Sequence, residues 1–456
     1  MTEKLSIGWA SADMTPDKPV QICGQFHERI SERVRDPITA TALALEANGE
    51  QAVMVSCDVV GVHGDLMEGV RERVAAQVGD LDTKKIFLAA THTHTGPLLG
   101  RTILYPEPTG DMMTVEESKE LFMDRVAEAV VAAWNARAAG GVSGVLGHAA
   151  VGFNRRLAYA DGTSQMYGDS DREDFVSVEG SQDHGVEILF TWDPEGNPTG
   201  AIVNLACPSQ VVEGKSFLSA DFWCEARIRL KKRFGEGFFV LPLCSAAGDQ
   251  SPRDLVRRGR GEADMRDEDG LVEMGRRIAN AVEDVYEDAR SNIRNEVSFE
   301  HAVEDLVLPG IEVPEGELAG LRKDIDTYKE KNPEPGSSEW GRMCRYEEVL
   351  GRFSDSTKGP DLTMELHVMR LGDVAFCTNP FELFLDYGLR IKARSRAAQT
   401  FVIQLACDMV GYLPTAKAVA GAGYGATVSS NPVGPEGGDQ LVETTIERIN
   451  SLWDGR

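Results

Sequence analysis

The chain has 456 residues, with a hydrophobic fraction of 42% and a charged fraction of 26%, the composition of a globular protein able to bury a large core. A formal net charge of −26 and a sequence pI near 4.8 argue against nucleic acid and anionic membrane surfaces as partners. They place no restriction on a neutral or cationic small molecule.

Met1 to Ser6 carries no apolar signal core, and no apolar run is long enough to span a bilayer. A cytoplasmic location without stable membrane association is therefore expected. Residues 5–15 alternate as a strand does and stop at Pro16. Residues 37–46 and 51–60 flank Asn48-Gly49, a hairpin turn signal. Residues 65–78 place Leu66, Val70, Val74 and Val78 on one helical face. Residues 85–90 read as a strand that delivers His92 and His94 into a loop, and 115–138 as a long amphipathic helix. Strand-like sequence returns at 144–151, and Asn154-Arg155-Arg156 follows in a polar, irregular stretch. Residues 187–192 and 200–207 predict a hairpin, and 221–234 a helix whose basic last turn suits its dipole. The strand at 237–243 ends in small residues, then Gly248-Asp249 and Ser251-Pro252. The charged 253–269 reads as a solvated excursion, 271–289 as a helix and 297–308 as a strand.

Residues 316–331 and 340–353 predict a helical pair, inserted at about 310–356 and broken by Asn332-Pro333-Glu334-Pro335-Gly336. Residues 362–377 form a hairpin around Gly372-Asp373. Asn379-Pro380-Phe381-Glu382 opens a helix to about 395, 400–406 is the last strand, and 439–452 the last helix. No internal repeat is visible. Irregular alternation with hairpins mixed in predicts one large mixed α/β domain over 1–456, with flanking helices, rather than a clean parallel sheet. The eight cysteines are scattered without a C-x-x-C, which predicts buried thiols rather than disulfides or a structural zinc cluster.

Three stretches carry chemistry. His92 and His94 lie just beyond a strand end, where residues i and i+2 point the same way. Two imidazoles can there converge on a metal or work as acid and base; core histidines with satisfied hydrogen bonds are the alternative. Gly248-Asp249-Gln250-Ser251-Pro252 ends a buried strand and can present a hydroxyl and backbone N–H groups to a cleft; turn chemistry accounts for the same residues. Glu382 stands three residues after Asn379, where a helix start would favour a carboxylate.

Thr91-His92-Thr93-His94-Thr95-Gly96-Pro97 and Gly248-Asp249-Gln250-Ser251-Pro252 together resemble the neutral/alkaline ceramidase family. That family carries T-H-T-H-S-G-P and G-D-x-S-P segments, the second holding a nucleophilic serine. The resemblance runs over most of the chain and implies a neutral-ceramidase-like catalytic domain that hydrolyses an amide bond with one Zn²⁺. His92, Glu382 and Tyr412 match the family's zinc ligands, although Phe381 replaces a glycine before the glutamate. Ser251 matches the nucleophile, with a water as the alternative. His94 matches a residue that contacts the substrate or the developing oxyanion. Tyr424 matches the tyrosine of a Y-E pair, with Gly425 in place of the glutamate, and is expected to share that oxyanion role. Arg155 matches the arginine of an N-R-S segment that orients substrate, with Arg156 in place of the serine.

One departure is large. Cys207-Pro208 stands where family members have a cysteine followed by a zinc-binding histidine, while Ser219-Ala220-Asp221 keeps the family's S-x-D. Cys207 is the expected replacement ligand; Gln210 and His184 are further candidates. The family's secretion signal and C-terminal immunoglobulin-like domain are not seen in the sequence. The expected substrate is a soluble small molecule with an acyl amide or ester, in preference to membrane ceramide. The competing expectation is a catalytically altered or inactive relative that binds a small molecule. A third is acid/base isomerase or lyase chemistry by His92, His94 and Glu382.

Overall fold

The computed structural model describes residues 4–100, 104–353 and 356–454; Met1, Thr2 and Glu3, part of the stretch read above for a signal core, lie outside them. Three of its sheets share one strand order. In the first, Ser6–Asp13, Thr39–Ala47 and Glu50–Cys57 run antiparallel and Ile86–Ala90 joins in parallel. In the second, Gly141–His148, Gly185–Trp192 and Pro198–Leu205 are antiparallel and Phe239–Cys244 is parallel. In the third, Phe299–Leu308, Leu362–Leu371 and Val374–Thr378 are antiparallel and Gln399–Ile403 is parallel.

A parallel pair needs a crossover, and each unit supplies a helix for it: Gly64–Ala75, Phe222–Phe234 and Leu385–Arg394. A longer helix follows each fourth strand, namely Val115–Asn135, Asp267–Asp284 and Pro435–Ser451. The backbone therefore repeats three times, although no repeat is visible in the sequence. Strand order depends only on where apolar runs and turns fall, so it can recur without matching residues. Ile188, Val203 and Ile278 form an apolar cluster in the second unit and Leu366, Val402 and Ile446 one in the third, while the cluster around Val53, Leu88 and Val130 of the first unit also takes in Ile202 and Leu241 of the second and Phe376 and Phe401 of the third.

The three parallel edges meet. Ala90 N–H donates to Leu405 O at 3.1 Å, Cys407 N–H to Leu88 O at 2.9 Å, and Gln404 N–H to Cys244 O at 3.0 Å. The loops after the third and fourth strands of every unit thus open on one place. Sites in α/β folds lie beyond the carboxyl ends of parallel strands.

Several expectations are corrected. Glu382 does not open a helix: Glu382–Leu383 pairs in parallel with Tyr412–Leu413, and the helix begins at Leu385. The Glu382 N–H donates to Gly411 O at 2.9 Å, so tertiary pairing overrides the Asn-Pro-x-Glu signal. The stretch expected to be irregular after Asn154 forms a small sheet of Arg156–Tyr159, Ser164–Met166 and Phe175–Val178. The expected helix 271–289 starts earlier, at Asp267, and gives way to a second short helix, Tyr286–Ser291.

The helical pair is present as Glu315–Lys331 and Ser338–Gly351, packed through Leu318, Leu321 and Val349. It leans on the 26–28 segment, where Glu28 N–H donates to Gly336 O at 2.9 Å. No helix among the described residues is long and apolar enough to cross a membrane.

Candidate active site

The loop after Ile86–Ala90 is pinned by its threonines. The Thr93 and Thr95 hydroxyls both donate to Ser219 O, at 3.0 and 2.9 Å. Between them the histidines turn inward. His92 takes φ +62°, in the left-handed region, a strain of order 1–3 kcal/mol for a residue other than glycine. Its Nδ1 lies 2.7 Å from Val60 O. A carbonyl only accepts, so Nδ1 holds the proton and Nε2 presents a lone pair to the site. That Nε2 is 3.4 Å from Glu382 Oε2 and 3.3 Å from His94 Nε2.

The orientation of Gln210 settles the state of His94. Arg155 can only donate, and its Nη1 lies 3.2 Å from Gln210 Oε1. The amide nitrogen of Gln210 must then face His94 Nε2, at 2.7 Å, and that nitrogen accepts. Burial, followed by His92, Arg29 and Arg155, holds the His94 imidazole well below its ordinary pKa, so it is neutral near pH 7. The geometry therefore presents His94 Nε2 as an acceptor, and the donor expected there for an oxyanion is not offered at that atom.

Arg155 is the hub of the site. It is 3% exposed, and its Nη2 donates to Gly248 O at 2.9 Å and to the Tyr412 hydroxyl at 3.3 Å. Its guanidinium stands 3.6 Å from Glu382 Oε2 and 3.1 Å from the Tyr167 hydroxyl. Burial pushes the Glu382 carboxyl up, but His92, Arg155 and the Tyr412 hydroxyl outweigh it and leave it below the usual carboxylate range. Burial, then Glu382, drives the Tyr412 phenol well above its ordinary value.

The structure therefore brings together His92, His94, Glu382, Tyr412 and Arg155. Tyr424 stands at the rim, 44% exposed, with its ring 5.5 Å from that of Tyr412. Ser251 is next to the group rather than within it by contact: its Oγ accepts from Arg253 N–H at 3.1 Å, and Gln250–Ser251 pairs with Phe153–Asn154 beside Arg155. The Gly-Asp of its motif is structural. Gly248 N–H donates to Leu383 O at 2.8 Å, and a Cβ on Gly248 would sit 2.2 Å from Glu382 O. Asp249 accepts from Asn154 Nδ2 at 2.8 Å and from Leu385 N–H at 2.9 Å.

Cys207 is not brought to the site. Its thiol faces Val151 O at 3.2 Å in the apolar core of the second unit, and burial raises its pKa well above the ordinary thiol value. Proline at 208 keeps the chain from placing a ring nitrogen there, and Gln210 reaches the histidines instead. His184 lines a separate cleft with His148, Glu187 and Lys392. Sequence reasoning missed Tyr167, Glu213 and Arg253. Arg253 donates to Glu213 Oε1 at 2.8 Å, and Glu213 Oε2 is 3.9 Å from His94 Nδ1. Arg253 follows the Ser-Pro of the motif directly and could have been found; Tyr167 carries no local signal.

Asp221, in the S-x-D segment, supports the histidine loop from below. It is fully buried at φ +54° and accepts from Val212 N–H at 2.9 Å and Phe222 N–H at 2.7 Å. Burial, with Asp36 and Glu213 adding to it against those hydrogen bonds, raises its pKa to about 7. The folded carboxyl binds its proton more tightly than the unfolded one. Its contribution to stability is therefore greatest below about pH 4 and falls as pH rises toward 7, by about 4 kcal/mol at most. Urea unfolding at pH 5 and pH 7.5 is expected to show this loss in the wild type and a smaller one in Asp221→Asn; equal losses would remove Asp221 as the cause.

Strand order and site together define a class: three mixed sheets whose parallel edges converge on a pocket of histidines, a carboxylate and an arginine. The fold is that of neutral ceramidase from Pseudomonas aeruginosa, with a TM-score of 0.73 at 17% identity over 98% of this chain and 74% of that one. A ceramidase complexed with C2 is similar to the same degree, with a TM-score of 0.73 at 16% identity over 99% and 75% of the two chains. No protein-family model matches the chain, and no curated protein matches it in sequence. At this identity the likeness concerns the fold, and the chemistry rests on the residues.

Proposed function

We propose that the chain is a zinc-dependent hydrolase that cleaves the N-acyl amide bond of a soluble small molecule. The observation behind this reading is the approach of His92 Nε2, with its lone pair turned into the site, to Glu382 Oε2 at 3.4 Å beside Arg155. Lone pairs facing one another repel unless a cation or proton donor lies between them. The spacing also suits the edge of a tetrahedron whose centre lies about 2.0–2.1 Å from each ligand, roughly 3.3–3.4 Å. His92, with its Nδ1 proton fixed on Val60 O, has the tautomer a metal ligand needs. His92, Glu382 and Tyr412 would hold the ion, and three protein ligands with an open position suit a catalytic zinc. When bound, the ion supplies Lewis-acid polarisation of the scissile carbonyl.

The chain's own groups do the rest. His94 Nε2, left unprotonated by the Gln210 N–H that bonds it at 2.7 Å, exchanges that bond for the proton of the nucleophile, which is the Ser251 hydroxyl or a water. Arg155 faces the carbonyl oxygen as negative charge develops there, and Tyr424 can donate from the rim. His94 then gives the proton to the departing amine nitrogen, and in the serine route a water releases the acyl group. The rim supports a soluble substrate: Phe26 packs edge-on to Tyr424 at 5.7 Å, and Arg342 lies 5.6 Å above the Phe26 ring. These rings and this guanidinium can stack on and hydrogen-bond a polar acyl amide, while the formal net charge of −26 disfavours an anionic bilayer surface.

A binding protein without turnover is the second reading. It is favoured by Pro208 in place of a ligand histidine and by Arg155 already neutralising Glu382. Release of free amine from a series of short N-acyl amines separates the two, and no release at any zinc loading would leave the binding protein. Within the hydrolase reading, Ser251→Ala is expected to lower kcat by at least about 10³-fold. Unchanged turnover in that variant would remove the serine route and leave water as the nucleophile.

A further inference from the structure

A second group of ligand-type side chains lies apart from this site, where the third unit meets the first. Glu365 and His367 share one face of Leu362–Leu371, and Cys407 follows Gln399–Ile403. One ligand atom from each lies within 4.8 Å of the others. Cys407 is held there by a left-handed backbone, φ +67°, and by its N–H on Leu88 O. A cavity of about 280 Å³ opens on Glu365 and Cys407, with the carboxylates of Glu68 and Asp408 and the thioethers of Met67 and Met364 in its wall.

The hydrogen bonds here call for a cation. His301 Nδ1 faces Gln51 O at 2.9 Å, so it carries a proton. His301 Nε2 faces His367 Nδ1 at 2.9 Å and uses a second. His367 Nε2 faces Glu365 Oε1 at 2.7 Å and needs a third, or a metal ion in its place. Three protons on two imidazoles make one buried positive charge, beside Arg71, which already binds Glu365 at 2.5 and 3.1 Å. One divalent cation exchanged for two protons, the one on His367 Nε2 and the one on the Cys407 thiol, leaves the net charge of the group unchanged. Arg71 is therefore no obstacle to it. His301 would then fix the His367 tautomer through Nδ1, as a second partner of a ligand histidine does.

We propose that Glu365, His367 and Cys407 form a metal site distinct from the catalytic one, taking a single thiophilic divalent cation of the Zn²⁺ class. Such an ion ties the segment that carries Tyr412 to the strand beneath it. Cobalt(II) reports on it without reference to activity, because a thiolate ligand adds a sulfur-to-metal charge-transfer band in the near ultraviolet. The proposed catalytic ligands include no thiolate, so the band separates the two sites.

The full chain, stripped by chelator and titrated with Co²⁺, is expected to complete this band by about two equivalents, and at about one in Glu382→Gln, where the catalytic ligand set is broken. Glu382→Gln and Cys207→Ser should keep it, Cys407→Ser should lose it, and His367→Gln should bind at least tenfold more weakly. Absence of the band in the wild type, its loss in Cys207→Ser, or its persistence in Cys407→Ser would overturn the proposal. If Cys407→Ser does not fold, His367→Gln decides: unchanged Co²⁺ affinity overturns the site.

Discussion

An Arg155→Met variant is expected to lose about 10²–10³-fold in kcat on an N-acyl amide, the usual effect of removing one preorganised oxyanion donor. Methionine keeps the bulk of the arginine stem but offers none of its hydrogen bonds. Gly248 O, the Tyr412 hydroxyl, the Tyr167 hydroxyl and Gln210 Oε1 all lose a partner. Glu382 loses the cation 3.6 Å away that helps keep it ionised. The Gln210 amide, left with only the long 3.4 Å bond from the Tyr167 hydroxyl to its oxygen, is freer to turn and present that oxygen to His94. The variant should therefore also move the acidic limb of the kcat pH profile, which a merely structural arginine would not do. A kcat within tenfold of wild type with an unmoved profile would take Arg155 out of the reaction.

Arg156→Leu, one position on, is expected to lower stability by roughly 3–5 kcal/mol, the cost of breaking a buried ion pair from one side. Arg156 is fully buried. Its Nε and Nη2 bind Glu179 at 2.6 and 3.1 Å, and it also donates to Ala418 O, Ala422 O and Tyr424 O at 3.2, 2.7 and 3.0 Å. These contacts fix the loop that sets Tyr424 at the rim. Urea unfolding of Arg156→Leu, alone and combined with Glu179→Leu, checks the cause. The double variant should recover part of the loss, because the unpaired carboxylate is gone. A single variant within 1 kcal/mol of wild type would contradict the clamp.

Adjacent arginines thus do different work, and the sequence alone could not separate them. Asn154-Arg155-Arg156 lies in strand-like register, so Arg155 and Arg156 point to opposite sides; one faces the site and the other the core. The histidine pair was legible from its place beyond a strand end, but not the backbone that turns it inward: His92 takes φ +62°, so the pair meets through a left-handed turn rather than through the extended i, i+2 register. Glu382 was legible as a residue but not in its setting: its pairing with Tyr412 joins segments thirty residues apart, which no local signal encodes. Cys207 looked like a ligand because it neighbours the altered position. Its thiol turns the other way because Pro208 and the apolar core of the second unit take it there. The threefold strand order was hidden for a similar reason. It resides in the pairing of strands, while the individual runs look ordinary.

The most direct test of the catalytic site compares zinc content and amide turnover in the full chain, purified without an affinity metal, for wild type, Glu382→Gln and Cys407→Ser. Elemental mass spectrometry should show about one zinc per chain fewer in Glu382→Gln than in wild type, with amide hydrolysis lost. Cys407→Ser should also lose one zinc yet keep hydrolysis. Equal zinc in wild type and Glu382→Gln, or amide turnover undiminished in Glu382→Gln, would contradict a metal-dependent hydrolase built on His92, Glu382 and Tyr412.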